Sequence, residues 1–323
     1  MISRRRLLVV IGGALLGGVK SGFGQERPPW RVGVIHSAFL PGIPSVQGLK
    51  AGLKAAGIEE GRHVVFDIRP TRGGQESPRD LAAALVASRV DLIYTNNVQA
   101  TYAAQTSTSK IPIVFTSVGD PVAAGIVSSF ARPGGNVTGI ASLSTELVPK
   151  QLEIVKALVP RARRVFAVHS AGDPASLTAA HTAHDLAATM GLEVVVRAVR
   201  TEEEAVRELK AVRGNDVVMA PLSTDLNITG LVLNLNLYGV APAIFANAFW
   251  VRAGGLVSYG HDDYEEGVQA ARLVARILHG ARPEDLPVEA VNLVKFAINM
   301  KTARFLKLDV PRELLLRADE VIQ

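Results

Sequence analysis

Few residues in this chain stand in a pattern that could do covalent chemistry. The segment GDPVAAGIVSSFARPGGNVTG, Gly119 to Gly139, follows the apolar run IPIVFTSV and carries Asp120 directly before Pro121. An Asp before a Pro-led first turn is a helix cap, and the free N–H groups of such a start can meet a carboxylate. Whether Asp120 only caps, or also faces a ligand, stays open at this level. Gly134 and Gly135 read as a tight turn that returns the chain to a further strand. His181 and His184 stand three apart on a helical stretch, but no third ligand lies near, so they read as a solvated face rather than a metal pair. Asp120, Asp225 and His36 would make an acid–base set only if the fold brought them together. No GxSxG, HExxH, Walker A or GxGxxG pattern occurs, and the chain has no cysteine. No catalytic residue, metal or cofactor is therefore expected.

The elements around these residues alternate short apolar strands with amphipathic helices. Strands are expected at Arg31–His36, Val64–Arg69, Asp91–Thr95 and Ile111–Ser117, with a helix over Ser45–Ala56 and another led by Ser77 and Pro78. A second series follows, with helices at Glu146–Leu158, Pro174–Met190, Glu202–Lys210 and about Asp225–Tyr238. Its strands are expected at Arg164–His169, Glu193–Ala198, Asp216–Ala220 and Pro242–Phe245. Asp262 and Asp263 start a helix that Gly280 stops, with Tyr264, Val268, Ala271, Val274, Ala275 and Leu278 on one face. Asn292–Asn299 reads as a last strand before short helices. This βαβ order implies parallel sheets covered on both faces.

In such sheets ligands sit beyond the carboxyl ends of the strands. The residues there are Ser37 to Phe39, Asn96 and Asn97, Ser117 to Asp120, Ser223 to Asp225, and Asn247 to Trp250. Neutral hydrogen-bonding groups, two carboxylates and nearby aromatics suit a small polar ligand with an apolar body.

The chain has 323 residues and a formal charge of +5. Arg4, Arg5, Arg6 and Lys20 lie in residues 1–24, which hold no acid. Without them 31 basic residues face 30 acidic ones, so no basic nucleic-acid footprint remains. The same 24 residues read as an export signal: three arginines, the apolar run Leu7 to Val19, then Gly22 and Gly24 before the expected cut. The run is shorter than the roughly 20 residues a membrane span needs. The arginine cluster also suits a twin-arginine signal, with the general export route as the alternative. Without cysteine there is neither a disulfide nor a lipid anchor on a cleaved N-terminal Cys. A soluble periplasmic protein is expected.

Three long segments carry a resemblance. PIVFTSVGDPVAAGIVSSFARPGGNVTGIAS (Pro112 to Ser142), GGLVSYGHDDYEEGVQAARLVARILHGARPEDLPVE (Gly254 to Glu289) and KTARFLKLDVPRELLLRADEVI (Lys301 to Ile322) closely resemble one group of bacterial ABC-transporter substrate-binding proteins. Some members of that group resemble tryptophan- or aromatic-amino-acid-binding proteins. The resemblance implies a type I periplasmic-binding fold, with two α/β lobes joined by three crossings and the ligand between them. The crossings are expected near Ser142–Ser144, Asn247–Gly254 and Ala281–Val288. The lobes would then be 29–141 plus 255–283, and 142–254 plus 284–323.

It also implies a binding protein that delivers a small amino-acid-like or aromatic carboxylate to ABC permease subunits in the inner membrane, working as a monomer. A sensing module of the same fold is the alternative. Ser37, Asn97 and Asp120 from one lobe, and Ser142, Asp225 and Asn247 from the other, are the expected polar contacts. Asp225 would meet a ligand amine, Ser117 and the helix start at Pro121 a carboxylate, and Phe39 and Trp250 would flank the body. PLSTDLNITGLVLNLNLYG and NAFWVRAGG depart from the group's commoner patterns at the expected cleft, so ligand identity is not carried over from any relative.

Overall fold

The computed structural model describes residues 28–36, 43–71, 76–220 and 226–323. Two α/β layers follow one another along the chain. The first contains β1 (Trp30–His36), α1 (Pro44–Ala55), β2 (Val64–Pro70), α2 (Pro78–Ala87), β3 (Leu92–Thr95), α3 (Val98–Ser107), β4 (Ile113–Val118) and β5 (Val137–Ala141). The second contains α4 (Val148–Leu158), β6 (Arg164–Ser170), α5 (Pro174–Ala187), β7 (Glu193–Val199), α6 (Glu202–Leu209), β8 (Asp216–Met219), α7 (Ile228–Leu237), β9 (Ala243–Phe245), α8 (Ala248–Arg252) and β10 (Val257–His261). The chain then forms α9 (Asp263–Leu278), β11 (Glu289–Ala290), β12 (Val294–Asn299), α10 (Met300–Phe305), α11 (Arg312–Arg317) and β13 (Glu320–Ile322).

The first sheet has the order β11-β5-β4-β3-β1-β2 and the second β13-β12-β10-β9-β8-β6-β7. All pairings are parallel except β10 with β12. Strands such as VVFDIRP at the first sheet's edge stay partly exposed, whereas LIYT and VTGIA are buried throughout. That is the signature of central parallel strands covered on both faces. Each sheet indeed has a core on either side. Leu49, Leu53, Tyr94 and Val274 fill one side of the first sheet, and Leu85, Ile93 and Phe115 the other. In the second sheet Leu152, Val165 and Ile298 face one way, and Phe166, Val232 and Phe245 the other.

Two crossings fall elsewhere than the sequence reading placed them. Strand β10 pairs with β9 and β12, so it belongs to the second sheet. The chain crosses after it, between His261 and Asp263, not at Asn247–Gly254. Strand β11 pairs with β5 of the first sheet, and β12 returns to the second. The third crossing therefore lies at 291–293, not at Ala281–Val288. The physical reason is pairing: moving β10 to the first sheet would leave β9 and β12 each with one unpaired edge. The residues just before α4 carry the first passage, after β5 ends at Ala141.

Helix α9 packs on α1 more closely than ordinary side chains allow. A Cβ on Gly48 would lie 1.9 Å from the Tyr264 carbonyl oxygen, and one on Gly267 would lie 1.9 Å from that of Ser45. This contact rotates the buried face of α9 to Glu266, Gly267, Ala270, Ala271, Leu273, Val274, Ile277 and Leu278. Tyr264, assigned from periodicity to the packed face, is exposed. Ser77 stands at the cap position of α2 but makes no side-chain capping bond, whereas Asp262 caps α9 by accepting from the Tyr264 and Glu265 N–H groups.

Candidate functional site

The carboxyl ends of both sheets converge. Gln99, in the first turn of α3, donates from Nε2 to the carbonyl of Gly172 just beyond β6, at 3.4 Å. Asn247, after β9, donates from Nδ2 to Asp263 Oδ2 at 3.2 Å. These contacts tie the two sets of strand ends together.

The residues expected at the ligand divide into three groups. Ser37, Phe39 and Asp225 lie outside the described residues. Asn97, Ser117, Asp120 and Trp250 are engaged by the protein itself. Asn97 is buried and caps α3, its Oδ1 accepting from the Ala100 N–H at 2.6 Å. Asp120 is exposed, and its Oδ1 accepts from Val122 and Ala123. The segment behind it is a single turn closed by the Ile126 N–H on the Pro121 carbonyl, not a helix, so the helix start expected there to hold a carboxylate does not form. Gly134 and Gly135 do make the turn, with φ of +79° and +64°. Trp250 is half-buried and packs on Phe245 at 6.4 Å between ring centroids, with Phe249 edge-on at 5.3 Å. Its ring therefore joins the second sheet's core, which accounts for an aromatic at this position without a ligand.

Ser117 holds a left-handed conformation, φ +54°. Its N–H and hydroxyl, expected to meet a solute carboxylate, both donate to the Glu266 carboxylate, at 2.7 and 3.0 Å. An internal carboxyl group occupies those donors.

Ser142 and Asn247 form the third group. Both are buried, and Ser142 Oγ and Asn247 Oδ1 have no hydrogen-bond partner. His169, the last but one residue of β6, joins them. Its Nδ1 lies 3.0 Å from the Ser170 carbonyl, and its Nε2 has no partner. Buried polar atoms are nearly always satisfied, so each of these three marks a position that a further partner would satisfy, as do both ring nitrogens of His261 at the end of β10. His169 also lines a pocket with about 530 Å³ of empty space including its open mouth. Ser144, Gln151, Ser176, Ala167 and Met219 contribute to its wall, which mixes polar groups with apolar ones as small-molecule sites do. The sequence reading missed His169, although it ends the run RVFAVH and the strand-end rule applies to it.

The second crossing holds a further cluster that sequence reasoning passed over. His261 ends β10, and Asp263 and Glu266 lie in the first turns of α9. His261 and Glu266 are fully buried. Burial pushes the Glu266 carboxyl well above its ordinary range, against the opposing pull of His261. Burial acts to lower His261, but Glu266 and Asp263 outweigh it and raise it. Nearby, Lys295 donates to the Asp262 carboxylate at 2.8 Å, and Arg252 pairs with Glu320.

Comparison with known proteins agrees with this architecture. A family model described as ABC transporter substrate binding protein matches residues 34–322. A tyrosine-binding protein of Clostridioides difficile (strain R20291) is 29% identical over 289 residues, which cover 86% of this chain and 82% of that protein. A solved conserved domain protein from Vibrio cholerae superposes with a TM-score of 0.81 at 28% identity, covering 91% of this chain and all of the other. A Streptococcus structure, an ABC domain in complex with L-Trp, gives 0.78 at 26% identity, with the same coverage.

Proposed function

The chain belongs to the ABC transporter substrate-binding protein family, and from that premise we propose that it captures a small amino-acid-like or aromatic carboxylate between its two lobes and delivers it to a membrane permease. The lobes are 30–141 with 263–290, and 142–261 with 294–322. Hinge closure about the three crossings would enclose the solute. The observation that carries this reading is that Ser142 Oγ, Asn247 Oδ1 and His169 Nε2 are buried and unpartnered near strand ends of the second lobe, where lobe closure would have to bring them to one solute. They provide a hydroxyl, an amide oxygen and an imidazole nitrogen, a set suited to the polar end of a solute. The apolar wall of the neighbouring pocket suits its body. Asp225, in the segment after β8, is the proposed partner of a ligand amine. The two relatives described as tyrosine-binding and L-Trp-bound support an aromatic amino acid.

The signal at residues 1–24 would export the protein to the periplasm as a soluble monomer. No helix among the described residues is long and apolar enough to cross a membrane.

The test is a thermal-shift screen of protein unfolded and refolded to strip any copurified solute, using tyrosine, tryptophan, branched amino acids, aromatic acids and sugars. A ligand at 100 times its Kd adds about 2.7 kcal/mol, a readable shift. An aromatic amino acid should give that shift, and Ser142→Ala and Asn247→Ala should each weaken it about tenfold. Binding that is unchanged in both variants would remove these residues from the site, and a sugar as the sole hit would overturn the amino-acid reading.

A further inference from the structure

We propose that His261, Asp263 and Glu266 form a divalent transition-metal site at the crossing between β10 and α9. One donor atom from each lies within 4.8 Å of the other two. The geometry is that of ligands around a shared centre. His261 Nε2 lies 2.9 Å from Asp263 Oδ1 and 3.7 Å from Glu266 Oε2, yet it makes a directed hydrogen bond to neither. Donors around one tetrahedral ion at the usual 2.0–2.2 Å stand about 3.3 Å apart and point at the ion rather than at each other. The imidazole is fully buried, so its undirected contact cannot be completed by bulk water.

An outer ring of hydrogen bonds orients the carboxylates. Asn247 Nδ2 holds Asp263 Oδ2 at 3.2 Å and leaves Oδ1 facing the imidazole. The Ser117 N–H and hydroxyl grip Glu266. Outer partners of this kind fix ligating carboxylates in metal centres. Charge points the same way. Two carboxylates face one imidazole, while the neighbouring cations Lys295 and Arg252 pair with Asp262 and Glu320. A bound cation would displace the proton that the two carboxylates favour on the imidazole and take over its charge. One imidazole with two carboxylates suits zinc, manganese or cobalt better than calcium or a thiolate-seeking ion. Because His261 extends from the second sheet and α9 packs on the first lobe, the ion would pin the crossing.

The test titrates the purified protein, stripped with a chelator and free of organic solute, with Zn²⁺, Mn²⁺ and Co²⁺. Calorimetry reads affinity and stoichiometry, and visible Co²⁺ absorption reads the ligand environment. One ion per chain is expected, with a Co²⁺ spectrum of a nitrogen–oxygen site. Asp263→Asn keeps the side-chain shape at a position that is 22% exposed, so it should fold, and it should weaken binding at least tenfold. A double variant of the exposed pair His181→Asn and His184→Asn should leave binding unchanged. Absence of stoichiometric binding by folded protein would overturn the site. So would binding that survives Asp263→Asn, or that disappears with the His181 and His184 pair. None of these outcomes depends on whether an amino acid binds the cleft.

Discussion

His36 and His261 are both buried at the last position of a strand, and their surroundings treat them oppositely. His36 closes β1 in the first sheet, and burial pulls its pKa down to about 4, so it is neutral at ordinary pH. His261 closes β10 in the second sheet and is more deeply buried, yet Asp263 and Glu266 favour positive charge on or beside it. Burial alone disfavours an imidazolium. Two facing carboxylates reverse that preference, because Coulomb attraction in a low-dielectric interior outweighs lost hydration at this range. Residue type and position on a strand therefore do not set the charge; the partner supplied by another element does.

The largest effect that would break this contrast is removal of the second histidine. His261→Leu leaves the buried Glu266 facing the partly exposed Asp263 without their cationic partner, and urea unfolding at neutral pH should show a loss of about 3 kcal/mol. His36→Leu should cost about 1 kcal/mol, the value of ordinary hydrogen bonding. Equal losses would show that His261 has no special electrostatic role.

One glycine in β1 and one next to Glu266 in α9 extend the comparison. Gly267→Ala adds a Cβ against backbone atoms of Ser45 and Leu49 at 1.9–2.9 Å, and backbone cannot step aside cheaply. It should cost about 3 kcal/mol and loosen the hold of Glu266 on Ser117. Gly33→Ala in β1 would meet the Leu85 side chain first, at 2.8 Å, and should cost about 1 kcal/mol.

Acid titration reads His36 directly. Its folded pKa lies below the unfolded value of 6.5, so its contribution is present above pH 6.5 and is lost as pH falls toward 4. The slope is at most about 1.4 kcal/mol per pH unit. His36→Gln should flatten this limb in a series of unfolding curves, and an unchanged limb would reassign it.

The smallest effect belongs to a carboxylate at the surface. Asp120→Ala removes two bonds to the exposed turn at Val122 and Ala123 and should cost about 0.5–1 kcal/mol by thermal unfolding. A loss comparable to that of His261→Leu would mean that this turn is more than a local feature.

Much of the fold was legible along the chain. Apolar runs such as RVGVIH and RVFAVH became strands, Gly134 and Gly135 made their turn, and Asp262 capped α9. The candidate site was less legible. Ser142 and Asn247 came from reading strand ends, and His169 would have come from the same rule. The roles of Ser117 and Glu266 were hidden, because 149 positions separate a serine near the end of β4 from an acid that looks like an ordinary first-turn helix residue.

The sequence by itself determined the alternation of strands and helices, the Asp262 cap and the Gly134–Gly135 turn, and membership of a binding-protein family. These follow from interactions within a few residues, namely side-chain periodicity, cap chemistry and glycine geometry. Only the tertiary structure decided that β10 completes the second sheet, that α9 turns Glu266 inward, and that His261 meets two carboxylates. Those outcomes depend on which backbone edge finds a partner and how closely α1 and α9 approach. Both are contacts between segments far apart in sequence, and no local pattern encodes them.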